Sequence, residues 1–151
     1  MAAPGNPDLC TISSVEPMSM PAEVPSVPEV GATSAPLTSA AFFIGAYCKD
    51  YNEDFMLCKA ENNDPKHCLK EGRKVTRCVV DLLKKMKENC GKEFESHYTC
   101  LDNNDFEYYA CRGQERKLNE CVFNKLGLEK NVSGTPEGET PIHLKANPIY
   151  R

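Results

Sequence analysis

Apolar residues recur at three- and four-residue steps through the middle of the chain, and short polar breaks divide that pattern into four stripes. Cys48, Tyr51, Phe55 and Cys58 mark one face of an amphipathic helix. Cys68, Gly72, Val75, Val79, Leu82 and Met86 mark a second, with Cys78 beside it, which runs to about Lys87. Cys90, Phe94, His97, Cys100 and Leu101 predict a third helix, and Tyr108, Cys111, Leu118, Cys121, Val122 and Leu126 a fourth. The first break is Asn62-Asn63-Asp64-Pro65, with Asp64 expected as N-cap and Pro65 at the first helical position. Asn89 and Gly91 interrupt the second stripe before the third. Asn103-Asn104-Asp105 makes the next turn, where Asn104 and Glu107 have the spacing of a capping box. Gly127 fits the left-handed residue that closes a helix. Helix, turn, helix thus occurs twice, and the predicted fold class is all-α: two tandem antiparallel helical hairpins with extended irregular N- and C-terminal arms.

The flanks read differently. Residues 1–40 hold seven of the eleven prolines, in steps such as Val24-Pro25-Ser26-Val27-Pro28, so neither a helix nor a ladder is sustained there. The segment is expected to be extended or polyproline-like. Thr38-Ser39 ahead of Ala40-Ala41-Phe42-Phe43 predicts the cap of a short apolar helix whose Phe pair needs cover from the core or a partner. Beyond Leu128, Gly, Pro and polar residues predict an extended tail. The division is an arm over 1–39, a first hairpin with its short apolar segment over 40–87, a second hairpin over 88–127 and a tail over 128–151. About 80 residues remain for a core, a size at which cross-links or a partner usually supplement burial.

Cysteine supplies the cross-links. Eight of nine fall into four pairs, Cys48/Cys58, Cys68/Cys78, Cys90/Cys100 and Cys111/Cys121, with nine residues inside each pair. On a helix ten steps advance about 15 Å and return to within about 80° of the starting side, so both sulfurs face one neighbour. They cannot bond each other, because a disulfide needs Cα atoms within about 7 Å. In an antiparallel hairpin the cysteines nearest the turn oppose each other, as do the outer ones. That geometry predicts Cys58 with Cys68, Cys48 with Cys78, Cys100 with Cys111 and Cys90 with Cys121, each bond contributing about 2–4 kcal/mol. Cys10 stands outside the repeat, as a free thiol or, less simply, an intermolecular bridge.

Other chemistry finds no frame. Close Cys pairs of the zinc or dithiol kind are missing, and His67, His97 and His143 keep no ligand spacing with the cysteines. No phosphate loop, paired-histidine motif or nucleophile context occurs, so no catalytic residue, cofactor or metal is expected. His97 reads as a packed or half-exposed residue, and Phe94, Tyr108 and Tyr109 as core and interface.

A net charge of -4 gives no basic field for nucleic acid. The charge is uneven, however: Lys66 to Lys87 carries eight Lys/Arg against Glu71 and Asp81, whereas Glu93 to Glu107 carries five acids and no base. Such runs are solvated helix faces or a polarised docking surface. No apolar run approaches the ~18 residues of a membrane span. The start of the sequence resembles neither a secretory signal nor a matrix presequence, since Asp8, Glu16, Glu23 and Glu29 precede the first base, Lys49. Without secretion the Asn131-Val132-Ser133 sequon has no consequence.

Paired Cys-x9-Cys helices resemble the coiled-coil-helix-coiled-coil-helix (CHCH) proteins of the mitochondrial intermembrane space, where disulfides coexist with absent signal peptides. Glu53-Asp54-Phe55-Met56-Leu57-Cys58, Asp64-Pro65-Lys66-His67-Cys68-Leu69-Lys70-Glu71-Gly72, and Cys111-Arg112-Gly113-Gln114 with Glu120-Cys121-Val122-Phe123-Asn124-Lys125-Leu126-Gly127 are similar to the double-unit accessory subunits of respiratory complex I, the alpha-subcomplex subunit 8 type. The resemblance spans residues 40–127, and Asn147-Pro148 matches faintly. It implies a non-catalytic subunit, peripheral on the intermembrane-space face of the membrane arm, that supports assembly and stability. It also implies import through a transient mixed disulfide with an oxidoreductase. Cys58, with Tyr51, Phe55 and Leu57 on its N-terminal side, is the docking candidate. The alternatives are a free intermembrane-space CHCH protein handling redox equivalents or metal, and a subunit of another inner-membrane assembly.

Overall fold

The computed structural model describes residues 21–145, so Cys10 and Asn147-Pro148 lie outside the described residues. Four α-helices form the body: α1 (Ser34–Tyr47), α2 (Lys49–Glu61), α3 (Leu69–Asn103) and α4 (Arg112–Leu126). Short 3-10 turns at Tyr108–Cys111 and Ile142–Leu144 complete the order, and no strand occurs among the described residues. The all-α class and the two cross-linked hairpins are those read from the stripes.

Several boundaries differ from expectation, each for a local reason. Helix α1 begins at Ser34, so Thr38 and Ser39 lie inside it and do not cap it. Pro36 falls in the first turn, where a missing N–H removes no intrahelical bond. The α3 helix begins only at Leu69, after a turn over residues 65–68. Asp64 therefore caps the turn rather than the helix: its Oδ1 accepts from the Lys66 N–H at 3.2 Å, and its carbonyl accepts from the His67 N–H at 3.0 Å. The break expected at Asn89 and Gly91 does fall between them, at Cys90, whose non-helical backbone (φ -128°, ψ 33°) kinks α3 and divides it into two helical halves, one for each hairpin. No capping box forms at Asn104; its amide donates backward to the Cys100 carbonyl at 2.8 Å and closes the end of α3. The next two residues, Asp105 and Phe106, take left-handed backbone at φ 51° and 62°. Gly127 ends α4 in the left-handed conformation, at φ 63°.

The core lies where the two hairpins meet. Ala40 and Phe43 of α1 pack onto Leu82, Met86, Cys90 and Phe94 of α3 and Leu118 and Val122 of α4. Phe43 is fully buried, so the molecule itself covers one of the two phenylalanines, and Phe42 rests edge-on against Tyr108. By contrast α2 has no buried residue. Helices α1, α3 and α4 thus carry the hydrophobic stabilisation, at about 1.5–3 kcal/mol per large buried side chain, and α2 depends on its cross-links. Ahead of α1 the chain lies along the body with Pro21, Val24, Val27 and Val30 half-buried and the residues between them exposed. From Val24 to Val30 this is the three-residue repeat of polyproline II, and Pro21 precedes it across a turn closed by the Val24 N–H, which donates to the Pro21 carbonyl at 3.0 Å.

Candidate functional site

Each hairpin is closed by two bonds. In the first, Cys58–Cys68 lies near the turn and Cys48–Cys78 at the open end; in the second, Cys100–Cys111 and Cys90–Cys121 hold the equivalent places. Cα–Cα distances are 5.9–6.0 Å throughout. The spacing of ten places both cysteines of each helix toward the partner helix, and the kink at Cys90 separates the half of α3 that serves the first hairpin from the half that serves the second. Cys48, Cys90 and Cys111 are fully buried, whereas Cys58 is half-buried on the thinly covered α2.

Around Cys58 the structure separates the sequence-selected residues. Tyr51, Phe55 and Cys58 follow one face of α2, with Tyr51 47% exposed and Phe55 against Gly72, where an added Cβ would stand 3.4 Å from the ring. Leu57 points elsewhere and is 67% exposed beside Met56. His67 brings its imidazole near this bond, so ligand atoms of Cys58, His67 and Cys68 lie within 4.8 Å of one another. The two sulfurs are bonded together and have no thiolate to give in this state.

A second cluster had no sequence signal. Lys130 of the tail is buried, its Nζ donating to Glu115 Oε1 at 2.6 Å and more weakly to Asn119 Oδ1 at 3.4 Å. Arg112 pairs with the other Glu115 oxygen. The ammonium also sits 4.8 Å from the Phe42 ring centroid, with Tyr108 and Phe43 at 5.5 and 5.7 Å. Burial holds the Lys130 pKa below its ordinary value even though Glu115 acts the other way. The Tyr108 hydroxyl donates to the Thr38 carbonyl, and burial raises its pKa.

Next to it, Ser39 Oγ and His97 Nδ1 share a 2.6 Å hydrogen bond, while His97 Nε2 is buried without a partner. Burial lowers the His97 pKa to about 4, so the ring is neutral at physiological pH. His97 is therefore wholly packed, and Ser39, read as a cap, is its partner. The tail is fastened again at its end, where Arg116 Nη2 donates to the Lys145 carbonyl at 3.2 Å and His143 is buried. Up to Lys145 it lies on its own second hairpin rather than extending away. The second hairpin and the tail are thus held together by the Lys130–Glu115 pair and the Arg116–Lys145 hydrogen bond.

No family model matches the chain. It is 50% identical over 133 residues to the NADH-ubiquinone oxidoreductase 20.8 kDa subunit of Neurospora crassa, covering 87% of this chain and 73% of that one. The chain belongs to the family of that oxidoreductase subunit. Two relatives in Arabidopsis thaliana, NADH dehydrogenase [ubiquinone] 1 alpha subcomplex subunits 8-A and 8-B, are each 40% identical over 83 residues, 55% of this chain. The match spans 77% and 78% of their lengths. The resemblance to the subunit 8 type, read from the residues around Cys58, Cys68 and Cys121, is thereby shown. No helix among the described residues is long and apolar enough to cross a membrane.

Proposed function

We propose that this protein is a non-catalytic accessory subunit of respiratory complex I, held peripherally on the intermembrane-space side of the mitochondrial inner membrane and supporting assembly and stability of the membrane arm. The observation that carries the reading is 50% identity to a named oxidoreductase subunit over 87% of this chain. The disulfide frame supports the compartment, because such bonds persist where thiols are not kept reduced. Two hairpins over 40–87 and 88–127, flanked by an arm and a tail, are the units in which the chain acts. An epitope-tagged chain in isolated mitochondria should co-migrate on a native gel with the large complex that carries NADH dehydrogenase activity, and its depletion should diminish that band. Migration only as a free small protein overturns the reading.

Entry into the compartment proceeds, in this reading, through a transient mixed disulfide between Cys58 and an import oxidoreductase. Tyr51 and Phe55, seven and three residues before Cys58, supply the apolar face; exposed Leu57 stands outside that face and is a weaker contributor. Cys58→Ser is expected to abolish mitochondrial retention, and its normal accumulation overturns the choice of docking residue.

A further inference from the structure

The first half of α3 carries a cationic face that the accessory-subunit reading leaves unused. Lys70, Arg73, Arg77, Lys84 and Lys87 recur at three-, four- and seven-residue steps, on the side of the helix opposite buried Val79, Leu82 and Met86. From Lys70 to Lys87 the face extends about 25 Å. None of these five side chains forms an ion pair among the described residues. The acids of the same half-helix are Glu71, Asp81 and Glu88. Asp81 is already occupied, 2.8 Å from the Lys85 ammonium and accepting from the Tyr47 hydroxyl at 2.6 Å. At the N-terminal end, Glu23 of the arm and Glu71 line a small cleft with Lys66 and Lys70, so the unopposed charge is centred further along, at Arg73, Lys74 and Arg77.

A shaped feature lies at that centre. Tyr47 and Tyr51 from α1 and α2 and Lys74, Arg77 and Asp81 from α3 line a cleft of about 510 Å³ floored by Cys78. With Asp81 neutralised by Lys85, the exposed Tyr51 remains to receive a ligand together with Lys74 and Arg77, neither of which forms an ion pair among the described residues. Their chemistry fits a phosphate ester: a lysine and an arginine line the same cleft, and the tyrosine supplies a polar tip on an apolar body.

We propose that this face binds the inner-membrane surface, with the phosphate of an anionic phospholipid headgroup in the Tyr51–Lys74–Arg77 cleft and the flanking lysines and Arg73 against neighbouring headgroups. Charge complementarity with an anionic bilayer argues for this occupant, together with the spread of cations along one helix side without large exposed apolar residues among them. Exposed Met56 and Leu57, the anchors a protein pocket would take, stand on α2. The choice of a membrane rests on the reading as a peripheral subunit, but the test does not use complex I.

Purified, oxidised full-length chain is sedimented with vesicles of phosphatidylcholine containing about 30% phosphatidylglycerol, and with phosphatidylcholine alone. Binding is expected only to the anionic vesicles and should weaken with added salt. K74E/R77E should weaken it by about tenfold or more, whereas K92E/K117E, with the same change of charge on exposed positions elsewhere, should weaken it far less. Free inorganic phosphate at millimolar concentration should not release the bound chain, which separates a headgroup at a surface from a phosphate site. Circular dichroism and thiol titration verify that each variant remains folded and oxidised. Equal loss in both variants, or no binding of the wild-type chain to anionic vesicles, overturns the proposal. So does K74E/R77E binding the anionic vesicles as tightly as the wild-type chain.

Discussion

Lys130 Nζ stands 2.6 Å from Glu115 Oε1 with both side chains sealed from solvent, so the tail and the last helix share one buried charge pair. Removing one member of such a pair leaves the other uncompensated and costs about 3–5 kcal/mol. Glu115→Ala strands both Lys130 and Arg112, whereas Lys130→Met keeps an apolar stem among Phe42, Phe43 and Tyr108 and leaves Glu115 its pairing with Arg112. The expected order of denaturant midpoints is therefore wild type, then Lys130→Met, then Glu115→Ala. Limited proteolysis should cut the tail soonest in Glu115→Ala.

Stability should fall as the solution is acidified through the range set by His97. Its pKa is about 6.5 in the unfolded chain and about 4 in the folded one. Between those values the unfolded state binds the extra proton, so stability is complete above about 6.5 and declines down to about 4. Buried His143, shifted in the same direction, adds to the slope. His97→Gln should flatten the pH dependence of the thermal midpoint between these limits; an unchanged slope would show that His97 does not set it.

The four bonds should not be equivalent. Cys90–Cys121 spans 31 residues and ties α3 to α4, while Cys58–Cys68 spans 10. Loop-closure entropy alone favours the longer span by about 1 kcal/mol, and Cys90 also belongs to the central core. Paired alanine replacement at 90/121 should therefore lower the melting temperature more than replacement at 58/68. The shorter pair should instead raise hydrogen exchange locally in α2, which buries nothing of its own. Reducing all four bonds should abolish most of the helical circular dichroism.

Phe106 keeps left-handed backbone at φ 62° although its ring is 41% exposed. A bulky L-residue is disfavoured there by about 1 kcal/mol or more, and glycine is not. Phe106→Gly should be neutral or stabilising, raising the melting temperature by a few degrees. A clear loss of stability would mean that the ring contributes more by packing than its backbone costs.

Much of this fold is legible because period and spacing report on neighbours along the helix. The four stripes and the ten-step cysteine repeat are local features, and helix geometry turns them into hairpins. The starts of the helices were less legible. Ser39 and Asn104 are cap-forming residue types whose side chains go elsewhere, one to His97 fifty-eight residues away and the other back to Cys100. Competition between local and tertiary partners for the same hydroxyl or amide leaves no trace in spacing. Lys130 was invisible for the same reason: a lone lysine in a polar tail carries no periodic signal, and only packing under Phe42 and Tyr108 makes it a pin. The Lys66 to Lys87 charge run was visible, but the cleft inside it required Tyr47 and Tyr51 from other helices.

The extended stretch before α1 meets the body once every three residues, at Val24, Val27 and Val30. A rod with that repeat behaves like a three-letter reading frame. One residue inserted or deleted between Val27 and Val30 turns Val24 and Val27 by about 120° and swaps their contact edge for an exposed one, whereas a change of three residues restores the original phase. Length changes between Val24 and Val30 are thus constrained in multiples of three, even though the solvent-facing residues there are free to vary.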